Sequence, residues 1–562
     1  MAGNKIDSYD ELHEERIDGM PAFHIAPQKA PPHDSDKDKL TWYIIISSFA
    51  ASTGGFLYGY NLVAAGGISI MDDFLRAFYP VILDHKLSGS HGNYCKYDNQ
   101  AFQLFSSSLC LAALFATFLA STVTRKYGHT TTMIGAGIFY MLGSIMGAAA
   151  LNLPMVYLSR VLMGCGIGFS NQAIPLYLSE IAPLKHRGKL LLFFSLELAF
   201  GLFIANLTNF LSNQRHPWGW RVSFGVCIVP SVILTITGMI IVDSPYTLIA
   251  QGRHEHARVV LQKLRQTDDV QHELNELIKG RAIAEIEESK KTKSKNQLCS
   301  LFSSHYRPHL VIAIAMPFFQ QMSGFDAILF YGPSVFGAAG FKDGAALYST
   351  LITGIFAFVS TLIAAYIVDH VGRRKILLYC TVAMFVSMVR GEWCMLLCCW
   401  CFVCAEYGFD VEQVVVAAIL GTQLKGNAVT LSRVAGIVEV IVLCIIVLAY
   451  KASWGPMAWL IPSEIFPQEI RSMGQSLVVC LNMLIKFSVA QSFLSMLCAF
   501  KYGIFLFFAG WLIVMGVFTY FLIPETRGIP IDSMKTLWDQ HWYWKRYTLI
   551  DPATSPKKPA EV

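Results

Sequence analysis

Ser179-Glu180-Ile181-Ala182-Pro183, with Arg187 four residues on, recurs as Ser463-Glu464-Ile465-Phe466-Pro467, with Arg471 four residues on. The copies are offset by 284 residues, and Asp243-Ser244-Pro245 matches Glu525-Thr526 at nearly the same offset, 282. Paired punctuation of this kind marks a duplicated bundle. Between the markers lie apolar runs of about 20 residues, the length a helix needs to cross a bilayer. They fall at 41–66, 98–122, 130–150, 153–176, 190–213, 221–242, 308–336, 345–368, 376–420, 434–462, 473–498 and 503–523. The expectation is an all-α membrane protein with twelve transmembrane helices in two six-helix, pseudo-symmetric bundles.

Composition agrees. The 562 residues are 54% hydrophobic and only 15% charged, with a mean hydropathy of +0.46. A soluble chain carries roughly 25% charged residues to coat its surface. A net charge of +5 over this length gives no reason to expect a nucleic-acid partner. Residues 1–40 are polar, contain Pro21, Pro27, Pro31 and Pro32, and lack a signal-peptide pattern, so they read as a disordered cytosolic tail. The bundles then span 41–242 and 308–523, separated by a polar cytosolic linker with short helices at 243–307 and followed by a second tail at 524–562. Lys and Arg gather in the even-numbered turns (Arg125-Lys126, Lys185 to Lys189, Arg373 to Lys375, Arg471), which puts both termini in the cytosol. The turn at 67–97, with Arg76, Lys86 and Lys96, is the exception.

One marker breaks the period. Tyr127-Gly128 and Val371-Gly372 fill the same turn of each half, yet their offset is only 244. The second half is therefore about forty residues longer between that turn and its Ser-Glu motif. The surplus includes 390–413, with Cys394, Cys398, Cys399, Cys401 and Cys404, and reads as an insertion that distorts the ninth helix.

Acid and base recur together at the ends of helices: Glu180 with Arg187, Asp369 with Arg373 and Arg374, and Glu464 with Arg471. Such a girdle would pair when a cytosolic mouth closes and part when it opens; positive-inside bias alone is the plainer alternative.

The motifs resemble those of the sugar porters of the major facilitator superfamily, over roughly residues 41–545. The resemblance rests on Gly54-Gly55-Phe56-Leu57-Tyr58-Gly59-Tyr60, on Arg160 with Gly164, Gly166, Gly168, Asn171 and Gln172, and on Pro175 to Glu180. It rests also on Phe318-Phe319-Gln320-Gln321, Trp454 to Glu464 and Pro524 to Gly528. The Asn93 to Asp98 block and Ser492 to Cys498 make it most similar to the plant hexose–proton symporters, or monosaccharide transporters. The resemblance implies the major facilitator fold, carriage of a hexose by alternating access, protons as a second partner, and a plasma-membrane setting. An enzyme, a cofactor and a metal are not expected.

The chain departs from that pattern where the chemistry lies. The proton-coupling Asp of the family is Asn61 here, facing the matching Arg160, and an amide does not bind and release protons near neutral pH. Glu197 is a candidate substitute; a carboxylate facing headgroups or a polar crevice is the blander reading. Gln320, Gln321, Trp459 and Asn482 match the implied sugar-binding positions, whereas Ser195, Asp326, Ala357 and Lys486 replace a Gln, an Asn, an Asn and a Thr. Each lost sugar hydrogen bond weakens binding by about 1–3 kcal/mol. A hexose facilitator or weakly coupled symporter is the leading expectation, and a non-transporting sensor or interfering subunit the alternative. Asp326 and Lys486 should pair within about 4 Å or through one water, because charges at that depth face the interior and find partners; Lys486 snorkelling elsewhere while Asp326 meets water in the cavity is the competing reading. Cys95 and Cys498 share the extracytosolic, oxidising face, and the resemblance implies their disulfide.

Other patterns yield nothing. Cys398-x-x-Cys401-x-x-Cys404 lacks a second ligand cluster. Gly164, Gly166 and Gly168 follow no strand and read as close helix packing. The Asn206-Leu207-Thr208 acceptor lies within a span and should be unmodified.

Overall fold

The computed structural model describes residues 40–88, 95, 97–183, 186–292, 306–338, 343–389, 433–466, 470–500, 503–526 and 534–548. The expected insertion at 390–413 lies outside them. Within them the chain is helical throughout, as a lipid-embedded backbone must be to satisfy its own N–H and C=O groups. The first half contains α1 (Trp42–Ile68), α2 (Asp72–Phe78), α3 (Pro80–Ser88), α4 (Gln100–Tyr127), α5 (His129–Ala148), α6 (Leu153–Ile181), α7 (Arg187–Ser212), α8 (Gly219–Gly225) and α9 (Ile228–Ile240). The linker carries α10 (Pro245–Ala250), α11 (His254–Arg265) and α12 (Gln271–Thr292). The second half contains α13 (Arg307–Met322), α14 (Phe325–Ala338), α15 (Asp343–Val371), α16 (Arg373–Val389), α17 (Arg433–Ala452), α18 (Trp454–Ile465), α19 (Arg471–Phe500) and α20 (Gly503–Leu522). Two short helices follow, α21 (Met534–Gln540) and α22 (Lys545–Thr548).

Among the described residues, nine helical stretches are long and apolar enough to cross a membrane. α1 is not one of them, because its glycines, serines and tyrosines lower its hydropathy. It is instead buried along most of its length, against α6, α7 and α9. Polar residues start the spans: Thr41, Asn99 and Asn152 each accept a backbone N–H of the first turn on a side-chain oxygen. The glycines of α6 do pack closely. A Cβ at Gly168 would stand 2.6 Å from the Ala113 carbonyl oxygen of α4.

Three spans expected to be continuous are broken. Pro230 has no N–H to offer the carbonyl of Val226, and the span divides there into α8 and α9. Pro456 likewise leaves Ala452 without an intrahelical donor, and the chain turns at Ser453 between α17 and α18. Gly324, at φ +75, separates α13 from α14. The turn after α1, at 67–97, carries a folded lid. Its Phe74, Leu75, Ile82 and Leu83 are buried, and the Phe74 ring lies 5.1 Å from Phe105 and 5.8 Å from Trp220. Lys86 there reaches Asp72 at 2.8 Å and the Ile70 carbonyl at 3.1 Å, so local partners absorb a cation that breaks the charge bias.

The halves meet along α4 and α19 and along α7 and α15. At the disulfide end of α4, Ser107 Oγ donates to Gln491 Oε1 at 2.6 Å and Ser495 Oγ to Asp98 Oδ1 at 2.6 Å. At the linker end, Ser476 Oγ lies 3.2 Å from both Ser121 Oγ and Gln172 Oε1. On the other seam the rings of Phe200 and Phe358 are 5.5 Å apart.

Candidate substrate site and gates

The breaks at Ser323–Gly324 and Ser453 bring three polar helix ends to the middle of the second half. Gln320 Nε2 donates to the exposed carbonyls at the α17–α18 turn, Trp454 at 3.2 Å and Gly455 at 3.0 Å. Its Oε1 accepts from Asn482 Nδ2 of α19 at 2.7 Å. Gln321 Nε2 donates to Asp326 Oδ2 at 2.9 Å, and the same oxygen meets Lys486 Nζ at 2.7 Å. Lys486 also donates to Tyr58 OH of α1 at 2.8 Å, so one ammonium ties the two halves together. Gln321 Oε1 and Asn482 Oδ1 are buried without a hydrogen-bond partner among the described residues.

Gln320, Gln321, Asp326, Asn482 and Lys486 thus converge. Trp459 is half-buried on α18, Ser195 half-buried on α7 and Ala357 buried on α15. No side-chain hydrogen bond joins these three to the group among the described residues. Sequence reasoning passed over two members. Tyr58 sits inside a quoted motif without an assigned role. Lys451, 7% exposed on α17, stands over the rings of Phe325 and Tyr450 at 5.4 and 5.8 Å and within electrostatic range of Asp326 and Lys486. A lysine inside the apolar run 434–462 was the available signal. Phe325 also borders a cavity of ≈ 30 Å³ with Val63, Asn206 and Leu443, room for a water and not a sugar.

Arg160 is fully buried. Its guanidinium donates to the backbone carbonyl of Asn61 at 3.3 and 3.4 Å, and to that of Phe105 at 3.2 Å, with the Phe105 ring 5.4 Å away. The Asn61 amide donates elsewhere, to the Leu57 carbonyl at 2.9 Å and towards Cys227 Sγ at 3.6 Å. Carbonyl oxygens therefore hold the cation where a carboxylate would. Glu197 is buried, with no ion pair among the described residues.

The linker end carries two matching clusters. In the second half, Glu525 accepts the backbone N–H groups of Arg373 (2.8 Å) and Arg374 (3.1 Å), at the N-terminus of α16, where the dipole favours an anion. Arg373 NH2 reaches Glu464 Oε1 at 2.9 Å, and Thr526 donates to Glu464 Oε2 at 2.7 Å. In the first half, Asp243 accepts the backbone N–H of His129 at 3.1 Å, while His129 Nε2 lies 3.1 Å from Glu180 Oε2, which Ser244 Oγ also reaches. Burial pushes the Asp243 carboxyl above its ordinary pKa, against the pull of His129 and two backbone donors. Gly128 and Gly372 precede the clusters at φ +99 and +100, each leaving room for its carboxylate. His129 fills the station that Arg373 fills in the other half, a role the sequence reading did not give it. The side chains of Arg187, Asp369 and Arg471 lie outside the description.

At the opposite end Cys95 and Cys498 form a disulfide, Cα atoms 4.7 Å apart, linking the lid of the first half to the end of α19.

Comparison with known proteins follows this geometry. A family model described as "Sugar (and other) transporter" matches residues 47–538. The chain is similar to sugar transport protein MST4 of Oryza sativa subsp. japonica, 44% identical over 91% of this chain and 93% of that one. It is similar to sugar transport protein 13 of Arabidopsis thaliana, 43% identical over 91% of each. Among solved structures, the proton:xylose symporter XylE bound to 6-bromo-6-deoxy-D-glucose superposes with a TM-score of 0.70. That match covers 88% of this chain and 99% of that one, at 20% identity. The inward-open xylose transporter XylE from E. coli superposes with a TM-score of 0.63, also at 20% identity, over 88% of this chain and 100% of that one. These structures share the major facilitator fold.

Proposed function

The chain belongs to the sugar transporter family, and from that premise we propose that it carries a monosaccharide across a membrane by alternating access, without coupling to a proton at Asn61. The supporting observation is the meeting of Gln320, Gln321 and Asn482 in one buried polar group between α13 and α19. Amides of this kind form paired hydrogen bonds to adjacent hydroxyls, and a half-buried Trp459 offers an apolar face to a sugar ring. Two seams, α4–α19 and α7–α15, let one half rock against the other. The clusters at Glu180 and Glu464 then act as linker-end gates, on the cytosolic side together with both termini, in the plasma membrane.

Asn61 cannot hold a proton, and Arg160 is held by the carbonyls of Asn61 and Phe105. The sugar gradient is then the sole driving force. A non-transporting sensor is favoured by one observation, the Asp326–Lys486 pair, which occupies donors and acceptors a sugar would use. Uptake of radiolabelled hexose by transport-deficient cells, with and without a pH gradient, separates the readings. Saturable, gradient-independent uptake supports the facilitator. Gradient-driven accumulation overturns the uncoupled reading, and surface-expressed protein that moves no sugar supports the sensor.

A further inference from the structure

Lys451 is the one member of the central group that none of these roles uses. It lies on the last turn of α17, just before the Ser453 break, and its Cδ is 3.6 Å from where a Cβ on Gly455 would stand. Gln320 donates to the carbonyls of Trp454 and Gly455, so the lysine stem lies beside the turn that receives it. Asp326 is already committed to Lys486 and Gln321. Arg160 is already taken up by the carbonyls of Asn61 and Phe105. Lys451 has no ion pair among the described residues and meets only the faces of Phe325 and Tyr450. A ring face offsets part of the cost of burying an ammonium, but less than a carboxylate does. Around Asp326 there are therefore two ammonium groups to one carboxylate.

We infer that the site takes a monosaccharide bearing a carboxylate, a sugar acid, with Lys451 receiving the acid group. This rests on the transport reading above and narrows its substrate. The sugar's hydroxyls supply what Gln321 Oε1 and Asn482 Oδ1 lack, since both are buried acceptors without a donor among the described residues. The carboxylate supplies the anionic acceptor that the Lys451 ammonium, with its three N–H donors, lacks among the described residues. A neutral hexose would satisfy the first need and leave the second.

The test is isothermal titration calorimetry on the full chain in lipid nanodiscs, with D-glucuronate, D-glucose and D-glucose 6-phosphate. Charge-assisted hydrogen bonds predict that glucuronate binds at least about tenfold more tightly than glucose. Lys451→Met, close in shape but uncharged, should collapse that ratio towards one. Because the ratio is read within one preparation, it does not depend on how much of the variant folds, and the unsubstituted chain already decides the sign. Glucose binding as tightly as glucuronate, or the phosphate binding best, overturns the inference while leaving sugar transport standing. Binding of none of the three overturns both.

Discussion

Lys486 Nζ stands 2.7 Å from Asp326 Oδ2 and 2.8 Å from Tyr58 OH, joining a carboxylate of its own half to a hydroxyl of the other. Asp326 and Lys486 are on α14 and α19 of the same half, whereas the bond to Tyr58 crosses between the halves and would have to break or shift if they rock. Removing one partner of a buried pair costs about 3–5 kcal/mol, because the other charge is left stranded. Asp326→Asn and Lys486→Thr should each lower the unfolding temperature more than the double substitution does. A thermal-shift double-mutant cycle with a coupling of about 1–3 kcal/mol is the expected outcome, and strict additivity would mean the charges do not interact.

Asn61→Asp puts a carboxylate beside a guanidinium that carbonyls now hold at 3.2 to 3.4 Å. A titratable group then exists where the amide offered none. Transport by this variant should become dependent on an inward pH gradient, measured as the ratio of uptake with the gradient to uptake without it. The ratio for the unsubstituted chain should stay near one; accumulation against a gradient by that chain would point to another acid, with Glu197 the first to substitute.

At the linker end the two glycines test the clusters. Gly372→Ala forces a left-handed backbone on an L residue and sets its Cβ 2.6 Å from Glu525 Oε2. More than about 1 kcal/mol of stability should be lost, and Gly128→Ala should behave alike. His129→Arg should be tolerated, since it recreates the Arg373 to Glu464 arrangement opposite Glu180. If His129→Arg lowered stability as much as Gly128→Ala, the equivalence of the two stations would be wrong.

The disulfide joins residues 403 apart in sequence. Native disulfides contribute about 2–5 kcal/mol, so Cys95→Ser and Cys498→Ser should each lower the melting temperature and the double variant no further. Peptide mapping without reductant should recover Cys95 linked to Cys498; recovery of both as free thiols from protein exported to the cell surface would refute the bond.

Much of the fold was legible because a bilayer allows few solutions. Runs of apolar residues had to be helices, and the Ser-Glu and Gly-turn repeats divided them into halves. The helix breaks were less legible, since Pro230, Pro456 and Gly324 sit inside runs long enough to read as single spans. The lid over Phe74 looked like a loop because its helices are shorter than a span. In the site, Asp326 and Lys486 could be foreseen as charges out of place. Lys451 was as conspicuous, yet its partners are the rings of Phe325 and Tyr450, which no charge pattern reveals. His129 was hidden because the matching residue in the other half is an arginine.

The central claim is that this chain moves a monosaccharide without a proton. Its most direct test is uptake of radiolabelled D-glucose and D-glucuronate by proteoliposomes holding the purified full chain, at equal pH and under an inward proton gradient. The account predicts saturable uptake of at least one of them, at the same rate in both conditions and above that of protein-free vesicles. Correctly folded protein that moves neither sugar, or that moves one only when the proton gradient is present, would contradict it.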